Sequence, residues 1–226
     1  MFLLKKDSGF TLIELLVTVA IFIFMTALVV ANYGSFNDGT LLTSMSYDVA
    51  LALRGAQSYG LNVKGATVSL AQNFNYPYGM DFNIGAQNQM IFFADSNPLL
   101  GNNSYGDGLC NSGSSKPCAT DQTAGGDNII TTYTLARGGL IKCVEVLTSS
   151  PSSPCSASNN VSIVDITFRR PDPNAIIEAR KSDGTIVDNG SNQTWPYAII
   201  QVEDASKTST RSIVVNETGL IAVQNQ

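Results

Sequence analysis

The chain opens with a long uninterrupted apolar stretch, whereas the rest alternates short apolar runs with polar segments. Residues 15–31 carry no charge, and only Thr18 and Thr26 among them are polar. Residues 10–14 extend the stretch toward the N-terminus. A helix of about 20 residues crosses about 30 Å of hydrocarbon at a rise of about 1.5 Å per residue. The pattern therefore predicts a membrane-spanning helix over residues 10–33.

A second helical pattern follows a stretch of turn-forming residues. Residues 32–39 include Gly34 and Gly39 and predict a weak or broken helix at the membrane surface. From Thr40, which is suited to cap a helix, apolar residues recur at near-helical spacing to about Gly60. These residues are Leu41, Leu42, Met45, Val49, Leu53 and Ala56. We expect this amphipathic segment to pack on a sheet.

After Gly65 the pattern changes to short β-prone runs bounded by turn formers. The predicted strands are 66–70, 90–94, 129–135, 140–147, 161–169, 176–179, 197–203, 211–215 and 220–223. Asp183-Gly184 predicts one hairpin, and residues 205–209 predict a second. Trp195 is expected to lie in the core. The fold class is therefore α+β, with a long helix, half transmembrane and half amphipathic, packed on an antiparallel head over residues 34–226.

The charges around the apolar stretch predict its orientation. Lys5 and Lys6 precede the stretch, and the next basic residue is Arg54. This places the N-terminus in the cytoplasm and exports the head, so the protein crosses the inner membrane once. An ordinary secretory signal ends in a small-residue cleavage site after its apolar core. Here the junction between Gly9 and Phe10 precedes the apolar run, so cleavage there leaves the helix on the mature chain.

Glu14 is the one acidic residue within this stretch. A carboxylate in an apolar span costs up to about 3 kcal/mol and usually has a partner. Cleavage before Phe10 creates a positive amine four residues upstream, which can reach Glu14 of a neighbouring subunit in a helical stack. Two charges about 4 Å apart attract by roughly 4 kcal/mol in an intermediate dielectric. Such a pair is able to set the register of an assembly.

Residues 5–17, Lys-Lys-Asp-Ser-Gly-Phe-Thr-Leu-Ile-Glu-Leu-Leu-Val, resemble the class III leader of type IV pilins and type II secretion pseudopilins. The resemblance implies cleavage after Gly9 by a prepilin peptidase, so that residues 1–9 are the leader. It also implies N-methylation of Phe10 and a subunit contact by Glu14. The implied partners are other pilins or pseudopilins, bound through the N-terminal helix, and an inner-membrane assembly platform.

The order of elements resembles the GspH/FimT class of minor pilins. A helix and strands lead to Phe93-Ala94-Asp95, a glycine-rich loop, more strands and a closing segment over residues 212–219. The resemblance implies a subunit that initiates or caps a pilus or pseudopilus rather than forming its bulk. Ala31 stands where many major pilins carry a kinking proline. The alternative is a DNA-binding minor pilin of a competence pilus, but the tail over residues 219–226 lacks the basic residues of that role.

Four cysteines, Cys110, Cys118, Cys143 and Cys155, lie in the part assigned to the exported side. An even count there favours disulfides. Two local bridges, Cys110–Cys118 and Cys143–Cys155, are the simplest connectivity, and the two other pairings stay open. Their spacing lacks the close pairs of a zinc site.

The segment over residues 95–127 is rich in Asn, Ser, Gly and Asp. Asp95, Asp107, Asp121 and Asp127 are candidate oxygen ligands for Ca²⁺, but their spacing matches no EF-hand. We favour a solvated loop, and therefore expect no cofactor, with Ca²⁺ as the alternative.

Charge and composition argue against an enzyme and against nucleic-acid binding. Histidine is absent, which removes the commonest general base and the Ser-His-Asp and Cys-His nucleophiles. The net charge is -5, and it becomes -6 after residues 1–9, with two basic and one acidic residue, are removed. The basic pairs Arg169-Arg170 and Arg180-Lys181 are each followed closely by an aspartate. They are interpreted as solvated strand ends, so we expect weak DNA binding.

Overall fold

The computed structural model describes the backbone over most of the helix and the sheets. The described residues are 9–62, 66–68, 71–73, 77–94, 128–149, 155, 161–183, 185–187, 189 and 194–225, with side chains except at 32–37, 66–68, 71–73, 128, 137 and 225. A single helix of 50 residues, α1, spans Leu12–Leu61. The strands are β1 Ala66–Val68, β2 Ala71–Asn73, β3 Tyr78–Asn83, β4 Gln89–Ala94, β5 Asn128–Thr134, β6 Leu140–Leu147, β7 Ile163–Arg169, β8 Asp172–Arg180, β9 Tyr197–Glu203, β10 Thr210–Asn216 and β11 Ile221–Asn225.

Two antiparallel sheets build the head. The five-stranded sheet has the order β5-β4-β3-β7-β8, and the four-stranded sheet has the order β11-β10-β9-β6. The short strands β1 and β2 pair only with each other. In the larger sheet β3 is central, because Met80 lies opposite Phe92 of β4 on one side and Ile166 of β7 on the other. The predicted α+β fold is confirmed.

The core lies between the C-terminal half of α1 and the inner faces of both sheets. Leu42, Met45, Val49, Leu53 and Ala56 of the helix are buried there, as the helical spacing predicted. Alternate residues of the strands join them, as the pleat of a strand requires. The contributors from the sheets include Tyr78, Met80, Phe82, Ile166, Phe168, Ile177, Ile200, Ile213 and Val215.

Both predicted hairpins are confirmed. Between β8 and residues 185–187, Lys181 N donates to Thr185 O at 2.9 Å, and Arg180 forms an antiparallel bridge with Ile186. Between β9 and β10, the Asp204 carboxylate accepts bonds from the backbone N–H groups of Thr208 and Ser209, each at 3.0 Å. The core assignment of Trp195 holds in part: the residue is half-buried, packs against the core from its edge, and donates from Nε1 to Val187 O at 3.1 Å.

Two predictions of local structure are wrong. The expected break over residues 32–39 does not occur, because α1 runs through it. A glycine costs only about 1 kcal/mol in a helix, whereas starting a second helix requires a new and unfavourable nucleus. The segment over residues 71–83 was not predicted to contain strands, but β2 and β3 lie there. β3 was not predicted because it contains Gly79 and Asp81, and both residue types are depleted in strands.

The end of α1 approaches the five-stranded sheet so closely that only glycine fits. A Cβ on Gly60 would overlap the backbone carbonyl of Phe168 on β7. Gly55, earlier on the same helix, has no atom within 4 Å of the place where its Cβ would stand. The two glycines therefore form a matched pair, one required by packing and one not.

We predict that Gly55→Ala raises the free energy of unfolding of the head by about 0.5–1 kcal/mol, because alanine is the better helix former. Gly60→Ala should lower it by about 1–3 kcal/mol through overpacking. Urea titration of the full chain in detergent micelles, followed by the fluorescence of the single tryptophan, Trp195, measures both. Equal effects of the two substitutions would contradict the close approach at Gly60.

Candidate functional site

The N-terminal segment presents a non-helical junction directly before a capped helix. Gly9 and Phe10 precede α1, and both are exposed. Thr11 has an extended backbone and caps the helix, with its Oγ1 accepting the backbone N–H of Glu14 at 3.3 Å. Such a cap satisfies one of the N–H groups that a helix start leaves without an intrahelical partner. The cap therefore fixes the start of the helix just after the Gly9–Phe10 bond and leaves that bond outside regular structure.

Nothing within the described chain explains why residue 9 is a glycine. Its φ does not lie in the left-handed region, and no atom lies within 4 Å of the place where a Cβ would stand. Glycine is required inside a fold when the backbone has a positive φ or when another group approaches closely. Neither condition holds at Gly9 among the described residues, so their packing does not account for a glycine there.

Glu14 lies in the first turn of α1 and is exposed in the isolated subunit. Thr11 Oγ1 donates to its Oε2 at 3.5 Å, so the two side chains are in contact. The partial positive charge of a helix N-terminus favours a carboxylate at this position. Residues 10–53 contain no lysine or arginine. Among the residues that the structure describes, this leaves Glu14 without a basic side chain in the apolar stretch that follows it.

The first part of α1 is long and apolar enough to cross a membrane. The stretch Leu12–Ala31 has 20 residues and a mean hydropathy of 2.7, and none of it is buried in the subunit. The hydroxyls of Thr18 and Thr26 are bonded to backbone carbonyls of their own helix, at Leu15 and Phe22. The two hydroxyl side chains in the span therefore present little unsatisfied hydrogen-bonding capacity to lipid.

Comparison with known proteins supports this reading of the N-terminus. Residues 4–30 match the family model described as the prokaryotic N-terminal methylation motif. The chain begins with a type IV prepilin-like leader. No curated protein and no solved structure matches the chain.

The type IV prepilin-like leader implies processing by a prepilin peptidase and assembly with other pilins. In the structure the residues assigned to these steps are neighbours in one short segment: Gly9, Phe10 and Glu14 flank the Thr11 cap. The match covers most of the leader and of the span, and within the described residues α1 is the one helix that is long and apolar enough to anchor the protein in a membrane.

One of the two predicted disulfides is present in the described part of the chain. Cys143 on β6 is bonded to Cys155, with the Cα atoms 6.2 Å apart. The backbone N–H of Cys155 also donates to Glu145 Oε2 at 2.8 Å, so the segment is tied to β6 twice. Such a loop closure stabilises a fold by about 2–3 kcal/mol. Cys110 and Cys118 lie outside the described residues, and their pairing stays a prediction.

The calcium candidates Asp95, Asp107, Asp121 and Asp127 also lie outside the described residues. Among the residues that the structure describes, no group of three or more cysteine, aspartate or glutamate side chains is arranged to hold a metal ion.

The interpretation of Arg180 as part of a solvated strand end is wrong. Arg180 is only 2% exposed. Its Nη2 donates to Asp165 Oδ2 and lies 3.7 Å from Asp81 Oδ2. The three residues form a buried triad on the face of the five-stranded sheet that points away from α1. The pair Arg180-Lys181 therefore offers DNA only one exposed cation, Lys181.

Strand register explains how the triad forms. Asp81 of β3 lies directly opposite Asp165 of β7, and Ile163, two residues earlier on β7, lies opposite Arg180 of β8. The alternation of Tyr78, Met80 and Phe82 toward the core places Asp81 on the other face. That alternation is the sequence feature that could have placed Asp81 on the outer face. The partners of Asp81, however, come from β7 and β8, which are distant along the chain.

Two carboxylates share one guanidinium in this triad, so the group carries one uncompensated negative charge when both acids are ionised. Burial and the Asp165 carboxylate raise the pKa of Asp81 well above its usual value of 3.8, and Arg180 lowers it by less. Burial lowers the pKa of Arg180, but Asp165 and Asp81, with a smaller contribution from Glu178 of β8, raise it above its usual value. A proton on Asp81 makes the triad neutral.

The triad predicts a pH dependence of the stability of the head. Because the pKa of Asp81 is higher in the folded than in the unfolded chain, its contribution is greatest below about pH 4 and is lost as the pH rises through the raised pKa. Asp81→Asn removes the surplus charge and keeps the shape. We predict that this variant is at least as stable as the wild type at about pH 7.5, and that its relative stability falls as the pH is lowered.

Thermal unfolding of the wild-type and Asp81→Asn full chains between about pH 4 and about pH 7.5, followed by Trp195 fluorescence, measures the difference in their stability. As the control, Asp81→Asn combined with Asp165→Asn removes both acids of the triad from Arg180 and should cost about 3–5 kcal/mol at neutral pH. If Asp81→Asn alone cost as much as the double variant, both carboxylates would have to be ionised in the folded head.

Proposed function

We propose that this chain is a structural subunit, a minor pilin or pseudopilin, which assembles through α1 into a type IV pilus or a type II secretion pseudopilus. The observation that carries the proposal is the arrangement of the N-terminus. An apolar helix with no buried residue follows a prepilin-like leader and continues into the helix that holds the head. The role needs no catalytic group and no cofactor.

The proposed position in the filament rests on the order of elements along the chain. That order resembles the GspH/FimT class, which favours a subunit that initiates or caps the filament. The distribution of Lys5, Lys6 and Arg54 supports a cytoplasmic N-terminus and an exported head before assembly. The inner-membrane assembly platform and the prepilin peptidase are the partners that this route requires.

The residues of the junction have separate roles in this proposal. Gly9 supplies the small residue that the peptidase recognises, which accounts for a glycine that the fold itself does not need. Phe10 receives the methyl group on the amine that cleavage exposes. Glu14 of one subunit faces that amine on the next, and the attraction is worth roughly 4 kcal/mol at about 4 Å. The Thr11 cap holds Glu14 at the helix start, where the amine arrives.

We predict that the mature protein begins at Phe10 and carries one additional methyl group. The mass of the intact protein purified from membranes of its source cell, together with sequencing of its N-terminal peptide, measures both features. Gly9→Leu is the matched variant, because no described atom lies within 4 Å of the place where its Cβ would stand. It should accumulate unprocessed with a folded head. A mature wild-type chain that retains Met1 would contradict the proposal.

We predict that Glu14→Gln and Glu14→Ala insert into the membrane at least as well as the wild type, because a costly charge is removed. Incorporation into sheared filaments or cross-linked pseudopilus complexes should fall at least about tenfold, which requires a loss of only about 1.4 kcal/mol. Thr18→Val serves as the control, because it changes the same span and leaves Glu14 in place. This variant should incorporate normally. Normal incorporation of both Glu14 variants would show that the carboxylate is dispensable.

A further inference from the structure

Each of the two large sheets of the head ends in two edge strands. β5 and β8 bound the five-stranded sheet, and β6 and β11 bound the four-stranded sheet. An edge strand directs alternate backbone N–H and C=O groups away from its sheet, where a strand of another chain can bind them. Proteins usually prevent such binding by covering the edge or by placing a charged residue or a proline on it.

Three of these four edges carry such protection. At β8, Ala179 O accepts a bond at 2.8 Å from the N–H of Val187, whose segment runs along that edge. At β11, Ile221 O accepts a bond from Arg54 Nη2 of α1 at 3.4 Å. β6 carries an exposed lysine, Lys142. A partner strand is therefore blocked, or opposed by a charge, at each of these edges.

The fourth edge strand, β5, has no such protection among the described residues. Asn128–Thr134 contains no charged residue and no proline, and it consists mostly of isoleucine and threonine, which are β-branched and suit a strand. Tyr133 is 40% exposed, and Thr132 and Thr134 are exposed as well. Within the part of the chain that the structure describes, β5 pairs with β4 alone.

The hydrogen-bond pattern shows which residues of β5 face outward. The N–H of Leu135, just after the strand, donates to Asn88 O at 2.8 Å, so the backbone of Leu135 faces β4. In an antiparallel ladder the facing side alternates from residue to residue, which directs the N–H and C=O groups of Thr132 and Thr134 away from β4. A bulge at Ile130 interrupts the ladder, so residues 131–134 are its regular part, and we refer to them as the β5 edge.

We propose that the β5 edge binds an extended segment of another protein on the same side of the membrane, adding it to the five-stranded sheet as a sixth strand. Thr132 and Thr134 supply N–H donors and C=O acceptors to the incoming backbone. The segment is uncharged, because the β5 edge offers no opposite charge, and it is rich in β-branched or aromatic residues, which pair well with threonine and tyrosine across strands. This inference goes beyond the proposed function, since it concerns the head and does not require a filament.

A second copy of this chain is the less suitable occupant. Two β5 strands would pair antiparallel about a two-fold axis perpendicular to the sheet. α1 packs on β3 and β7, so its axis runs along the face of this sheet, and such a two-fold axis would reverse it. The two apolar stretches would then point in opposite directions, which does not suit two subunits that are anchored in one membrane with the same orientation.

Two substitutions at one position test the proposal in the full chain in detergent micelles. Thr132→Pro removes the outward N–H and is tolerated at an edge strand, because that group takes no part in the ladder with β4. Thr132→Val is the matched control, because it keeps the backbone groups and the β-branched shape. The probe is a fluorescently labelled, uncharged peptide of alternating threonine and valine, used beside a copy that is methylated at every backbone nitrogen and cannot donate hydrogen bonds.

Fluorescence anisotropy measures the affinity of the peptide. We expect Thr132→Val to bind it as the wild type does, within about twofold, and Thr132→Pro to bind it at least about tenfold more weakly. The methylated peptide should bind the wild type at least about tenfold more weakly, a comparison that needs no variant protein. Absence of binding to the wild type at about 1 mM peptide, or equal affinity of the wild type and a folded Thr132→Pro chain, would overturn the inference.

Amide hydrogen exchange locates the bound peptide on the head. With peptide present, the N–H groups of Thr132 and Thr134 should exchange at least about tenfold more slowly, whereas that of Leu135, already bonded to Asn88 O, should change little. Protection confined to other segments would contradict the proposal. Sedimentation of the chain without peptide should show one copy per micelle. A dimer that Thr132→Pro abolishes would assign the β5 edge to a second copy and overturn the proposal.

Discussion

The unbroken continuity of α1 is the constraint on which the rest of the structure depends. Its 50 residues extend over about 75 Å, with an apolar first part that is wholly exposed and a second part that forms one wall of the core. A helix that is apolar all round needs lipid or protein cover, whereas an amphipathic one needs a sheet. One continuous element meets both needs, so the span and the wall of the core belong to the same helix.

Two acidic residues, Asp81 and Glu14, differ in the source of their compensating charge. Asp81 is buried in the head, where Arg180 and a proton are available to compensate it. Glu14 stands at the start of an apolar helix, and the chain offers no basic side chain between residues 10 and 53. A buried charge is tolerated when its partner is close, and the source of that partner distinguishes the two sites. The triad is compensated within its own head, whereas for Glu14 the proposed function supplies a new amine on a neighbouring subunit.

Much of the fold was predictable because its signals are local. The membrane span, the amphipathic continuation and most of the strand-forming runs show the period of hydrophobic residues that their structures require. The interval over residues 32–39 misled prediction, because glycine content reports local cost and not the cooperativity of the helices on either side. β3 was missed because Gly79 and Asp81 occupy its outer face. The residues that surround them are set by the pairing of β3 with β4 and β7, which the alternation within β3 does not reveal.

The sequence by itself determined the leader motif and the membrane-spanning helix behind it, since both depend on residues that are adjacent along the chain. It likewise determined which face of the second helical half is apolar. Only the tertiary structure decided that Arg180 is buried between Asp81 and Asp165, and that Arg54 and Gln57 of α1 bind the backbone of the turn between β10 and β11. Both arrangements bring together residues far apart in the chain, and strand register and turn docking, which govern them, arise from packing of the whole head.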